Sequence, residues 1–189
     1  MNATAFRAVA ENCAPGVAPS IMEKLVAAES GFNPFAIGVN GPDRASYAPR
    51  SANEAAQIAS RLIAEGKSID MGLGQINSAN LSWLGLTPAT VFDACRNLTA
   101  AEIVLRDGYD RARDDGADRT QALHQALSSY NTGSFTRGFH NGYVARVLGE
   151  GSVTAPSIEK RSPSLSDDKA AKRWDVFGAA TGSNALVFQ

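Results

Sequence analysis

The chain has almost no net charge: 18 Lys and Arg face 19 Asp and Glu in 189 residues. No basic cluster breaks that balance locally, so the electrostatic footprint that nucleic acid requires is missing. No apolar stretch approaches the roughly 20 residues needed to span a bilayer. The opening Met1-Asn2-Ala3-Thr4-Ala5-Phe6-Arg7 lacks the long apolar core of a secretory leader. A trimmed chain, another export route and a cytoplasmic protein all fit that start. The 2 histidines, His124 and His140, have no ligand pattern around them, and no CxxC pair is present. Zinc chemistry is therefore not indicated. Cysteine is scarce too. Cys13 and Cys95 lie far apart, and either a disulfide or two buried thiols fits. A bond there would close a long loop, worth on the order of 4 kcal/mol by chain-entropy reasoning.

What remains has the size of one domain with a core, plus a tail. A first helix is expected over Ala5–Glu11, stopping before Pro15. A second starts near Pro19–Ser20, carries Ile21, Leu25 and Ala28 on one face, and ends at Gly31 and Asn33-Pro34. Residues 35–50, rich in Gly, Pro, Asn and Asp, read as a loop. Ser51-Ala-Asn-Glu54 is a capping box opening a helix that Gly66 closes. Thr99-Ala-Ala-Glu102 has the same form and predicts a helix running toward Asp115. Further helices are expected over Thr120–Ser129 and Gly142–Leu148, and a small hairpin over Lys67–Ile76. From Gly149 to Lys172 the composition is that of a flexible linker. Trp174-Asp-Val-Phe177 and Leu186-Val-Phe188 then return, as a loose tail or a docking segment for a partner.

Three segments carry chemistry. Glu29 ends the apolar run Ile21–Leu25–Val26–Ala28 and precedes Ser30-Gly31. Apolar neighbours disfavour an ionised carboxylate, which suits a general acid; a solvated helix-end Glu is the plain alternative. In Ser68-Ile-Asp70-Met-Gly72-Leu73-Gly74-Gln75-Ile-Asn77-Ser78, the glycines let backbone approach a ligand. Gln75 and Asn77 supply amides suited to sugar hydroxyls and N-acetyl groups, or to their own turn. Ser129-Tyr130-Asn131-Thr-Gly-Ser134 closes an apolar helix and could bring a phenol beside the acid.

In this order, Glu29-Ser30, Gly72-Leu73-Gly74-Gln75-Ile76 and Ser129-Tyr130-Asn131 resemble the Glu-Ser, Gly-Leu-Met-Gln-Ile and Ala-Tyr-Asn motifs of lytic transglycosylases, in the lysozyme-like superfamily. Cys13-Ala-Pro15, the run from Glu29 to Asn40, Cys95-Arg-Asn-Leu98 and Tyr130-Asn-Thr-Gly-Ser-Phe135 look like the small members attached to type IV secretion and conjugation machines. The resemblance covers about residues 10–148. It departs at Gly74, where the family has Met. It also departs at Asp70, which stands where animal-type lysozymes carry their second catalytic carboxylate.

The resemblance implies a mainly helical, lysozyme-like fold over 1–148 with a small β-hairpin lobe, beside the flexible linker and tail that composition predicts over 149–189. It implies a Cys13–Cys95 disulfide. Glu29 would be the catalytic acid; Ser30, Asp70, Gly72, Leu73, Gln75, Asn77, Tyr130 and Asn131 would bind substrate. No metal or cofactor is needed. The implied partners are peptidoglycan glycan strands and type IV secretion components, in the periplasm or cell envelope, with the tail as one candidate docking segment for the latter. Two alternatives stand beside this: a hydrolytic lysozyme using Glu29 and Asp70, and a non-catalytic scaffold that only holds glycan.

Overall fold

The computed structural model describes residues 3–42, 44–149 and Ala155. The linker and tail expectations, including the Trp174 and Leu186 segments, lie outside these. Helix α1 covers Ala3–Cys13 and α2 covers Pro19–Ser30. Pro19 opens α2 because a first-turn amide needs no partner, and Gly31 ends it in the left-handed region at φ 57°. α2 turns Ile21, Met22, Leu25 and Val26 into the core. Glu29 continues that stripe one turn further on, so its position on the helix already directs it inward.

Residues 35–50 are not all loop. Strand β1 (Ile37–Val39) pairs antiparallel with β2 (Ala45–Tyr47), so the expected hairpin is part of a larger sheet. Strands this short, parted by Asn40-Gly41-Pro42, leave no alternation to read, but Ile37 and Val39 are buried. After α3 (Ala52–Ala64) come β3 (Ile69–Met71) and β4 (Ile76–Asn77), giving a four-stranded antiparallel sheet in the order β2-β1-β3-β4. In this register Asp70 lies between Gly38 on β1 and Asn77 on β4.

The Ser51 box opens α3 as expected. The Ser51 hydroxyl accepts from the Glu54 amide at 3.2 Å, while Glu54 reaches the amide of Arg50 at 2.9 Å. The Thr99 box is a correction. Helix α4 runs from Ala94 to Asp114 and is capped by Asp93, which accepts from the Arg96 amide at 2.9 Å. Thr99 instead donates to the carbonyls of Cys13 and Cys95, and Glu102 accepts from the Gly16 amide. Both side chains tie α4 to the end of α1, beside the Cys13–Cys95 disulfide that the resemblance implied.

Asp118 caps α5 (Arg119–Thr132), and two short helices follow, α6 (Arg137–His140) and α7 (Tyr143–Leu148). The short α6 carried no sequence signal of its own. One hydrophobic core joins the helices to the sheet: Phe6, Met22, Leu25, Leu105, Leu127 and Tyr143 pack with Ile69, Met71 and Leu73. Burial of each such side chain contributes about 1.5–3 kcal/mol. The fold is mainly helical with a small antiparallel sheet, as expected. Among the described residues no helix is long and apolar enough to cross a membrane.

Candidate active site

A cleft of about 530 Å³ opens between the sheet and the helices. The sheet and the turns after it contribute Asn40, Ser68, Asp70, Gln75, Asn77 and Trp83; the helices contribute Glu29, Val104, Asp107, Arg111, Tyr130 and Asn131. Open clefts with a few convergent polar groups are where extended ligands bind.

Glu29 is half-buried on this cleft. Burial pushes its carboxyl up to about 7 from an ordinary value near 4.5, and the negative charge of Asp70 adds to the rise. A hydrogen bond from Tyr143 and the charge of Arg146 pull the other way without cancelling it. Its place in the last turn of α2 also sets it against the negative end of the helix dipole. A carboxyl poised near neutrality can give a proton to a leaving oxygen and take one back.

Tyr143 went unnoticed as a site residue. Its hydroxyl donates to Glu29 Oε1 across a separation of 114 residues, and it is only 2% exposed. Burial and the neighbouring Glu29 charge push its own phenol far up, so it is a donor throughout the ordinary pH range. The Asn141-Gly142 turn sets its direction: Asn141 Oδ1 accepts from the Tyr143 amide at 2.9 Å, and Gly142 is left-handed at φ 74°. That turn was a visible signal for a helix start, but nothing local to it points to Glu29. Arg146 stacks over the Tyr143 ring at 5.7 Å.

Asp70 faces the same cleft in a different setting. Its oxygens accept from Asn77 Nδ2 and Asn40 Nδ2, each at 2.7 Å. Asn77 is fully engaged, donating also to Ser68 Oγ and accepting from the Ala79 amide. Gln75 adopts a positive φ of 51° and spends its amide N–H groups on the carbonyls of Ala36 and Gly72, which leaves its Oε1 for a ligand. Tyr130 donates to the Gly74 carbonyl at 2.6 Å, and Asn131 accepts from Asn141 at 2.9 Å.

Three expected site residues lie off the cleft lining. Leu73 is fully buried, because the turn that follows β3, with Gly72 left-handed at φ 77°, packs its side chain into the core rather than toward ligand. Gly72 sits over the amide of buried Asn97, and Ser30 bonds back to the Val26 carbonyl. Gly74 has a physical reason to depart from the family methionine. A Cβ there would meet Ala101 Cβ and the Tyr130 hydroxyl, both at 2.9 Å. Its lost side chain lets Tyr130 dock on the backbone. Beneath this turn Asn97 accepts from the Gly74 amide and donates to the carbonyls of Met71 and Val91, so α4 fixes the loop. Among the described residues no group of three or more His, Cys, Asp or Glu side chains gathers as a metal site.

The Transglycosylase SLT domain family matches residues 7–148. The chain belongs to this transglycosylase family. It is also 38% identical over 183 residues to the protein VirB1 of Rhizobium radiobacter, covering 95% of this chain and 74% of the relative. It is 41% identical over 159 residues to the type IV secretion system protein VirB1 of Brucella abortus, covering 81% of this chain and 66% of the relative. No solved structure gives a significant match. The matched transglycosylase domain contains every residue lining the cleft.

Proposed function

We propose that this lytic transglycosylase cuts the β-1,4 bond between N-acetylmuramic acid and N-acetylglucosamine in peptidoglycan, using Glu29 as its one catalytic carboxyl. Protonated Glu29 gives its proton to the glycosidic oxygen as the bond to the anomeric carbon breaks. The carbonyl oxygen of the substrate's own N-acetyl group attacks that carbon, forming an oxazolinium-like intermediate. The Glu29 carboxylate then takes the proton of the 6-hydroxyl of the same sugar, whose oxygen closes a 1,6-anhydro ring and releases the N-acetyl group. No water is consumed. Glu29 ends the cycle protonated again.

The observation that carries this reading is a single cleft carboxyl raised to about 7 by burial and held by a phenol. A hydrolytic enzyme needs a second carboxylate free to act at the anomeric carbon. Asp70 has an Asn amide on each of its oxygens, which supports a role in bracing β3 against β1 and β4. Gln75 Oε1, Tyr130 and Asn131 line the path where the N-acetyl group would lie. Trp83, 54% exposed with its indole N–H on Asn80 Oδ1, offers a fixed aromatic face for a sugar ring.

The similarity to VirB1 proteins supports a biological setting in the cell envelope. There the enzyme would open the wall locally for a type IV secretion or conjugation apparatus. Mass spectrometry of muropeptides released from purified wall tests the chemistry: anhydro-muramoyl ends are expected, and reducing ends would replace the reading with a hydrolase. Binding without any Glu29-dependent loss of wall turbidity would replace it with a scaffold.

A further inference from the structure

The cleft is lined by three acidic side chains, Glu29, Asp70 and Asp107, and by one basic one, Arg111. That imbalance is awkward for an anionic polymer. Each muramyl residue carries a lactyl ether that ends either in a free carboxylate or in a stem peptide with carboxylates of its own. Arg111 is the one cationic side chain in the cleft lining that those carboxylates meet.

Arg111 is held for such an encounter. Its Nε donates to Asp107 Oδ2 at 2.9 Å, Nη2 donates to Ser129 Oγ at 3.2 Å, and its guanidinium carbon lies 5.3 Å from the Phe135 ring centre. These contacts fix the plane of the guanidinium while engaging only part of its N–H fork. The Asp107 pair is half exposed on both sides, 53% and 53%, so it adds little stability. It orients Arg111 more than it secures the fold. A planar, pre-set guanidinium is the side chain best matched to a carboxylate.

We propose that Arg111 is the carboxylate receptor of the cleft and sets the register of the glycan strand by binding the acidic substituent of a muramyl sugar. This rests on the peptidoglycan reading above. Both sugars of the repeat carry N-acetyl and 6-hydroxyl groups, so the chemistry at Glu29 does not by itself distinguish alternate glycosidic bonds. The lactyl substituent distinguishes them, and Arg111 is the lining residue whose charge can read it.

The test uses the full chain on two kinds of strand, peptide-bearing and amidase-stripped, each with its carboxylates free or converted to amides. Wild type is expected to cleave free-carboxylate strands with kcat/KM on the order of tenfold above their amidated forms, the worth of one charge-assisted hydrogen bond. Arg111→Gln should bring that ratio to about one, and Arg111→Lys should keep part of it in a salt-sensitive form. A preference within the stripped pair assigns the lactyl carboxylate; a preference within the peptide-bearing pair alone assigns the stem. Wild type that cleaves free and amidated strands equally overturns the proposal. So does an Arg111→Gln loss of the same factor on every strand. Wild type inert on all four strands would take down the peptidoglycan reading itself, and this inference with it.

Discussion

Glu29 ends a helix and Asp70 sits mid-strand in the sheet, yet both line the same cleft. Glu29 is packed against the core and has one phenol as its partner. Asp70 is cradled by two amides. Burial raises the Glu29 acid because its charged form loses water. On the proposed mechanism the helical lobe supplies the proton carrier, and the sheet lobe a polar wall held by its own hydrogen bonds. The two are coupled in one direction: the Asp70 charge adds to the rise at Glu29.

The sharpest way to break this contrast is Glu29→Gln. Removing both the acid and the later base should cost about a thousandfold or more in kcat on purified strands. The same variant has a stability signature. Glu29 holds its proton more tightly folded than unfolded, so wild-type stability falls as pH rises from near 4.5 through about 7. Gln never ionises yet still accepts from Tyr143. Glu29→Gln should therefore be more stable than wild type by about 2 kcal/mol at mildly alkaline pH. The gain should vanish in acid, and denaturant melts at the two pH values would show it. Equal stability at both would mean that Glu29 is solvated and the contrast false.

Tyr143→Phe comes next in size. It deletes the hydrogen bond that lowers the Glu29 pKa, so that pKa moves further above about 7. The alkaline limb of the pH–rate profile should shift to higher pH, with a loss of about tenfold in kcat as the carboxyl loses its fixed orientation. An unmoved limb would separate Tyr143 from the acid.

How much of this was legible follows the range of each interaction. The inward direction of Glu29 was readable because helix period and the Gly31 stop are local. The Ser51 box worked for the same reason. The identical pattern at Thr99 misled, because its side chains serve α1 instead of their own helix. Strands β1 and β2 are three residues each; β2 pairs with β1 and β1 in turn with β3, a long-range pairing that no local pattern records. Leu73 was given a substrate-binding role by its motif alone, and the left-handed turn at Gly72 that buries it leaves no periodic pattern to read. Tyr143 and Asn40 were missed because their targets lie far along the chain. Gly74 was visible as a departure, but the space that Ala101 and Tyr130 take from it was not.

Asp70→Asn is the smallest effect and divides the two carboxylates most cleanly. It removes a charge that raises the Glu29 pKa, so the alkaline limb should move to lower pH, opposite to Tyr143→Phe. The new amide can accept from only one of Asn40 and Asn77, and the unmatched donor pair should cost about 1 kcal/mol of stability. Cleavage should remain within about tenfold of wild type, since a bracing residue is not asked to give or take a proton. A loss of about a hundredfold or more, together with reducing ends in the product, would make Asp70 a working second carboxylate and the enzyme a hydrolase. The opposed shifts of the two variants are the decisive readout, because general damage to the cleft would lower rates without moving the limb in two directions.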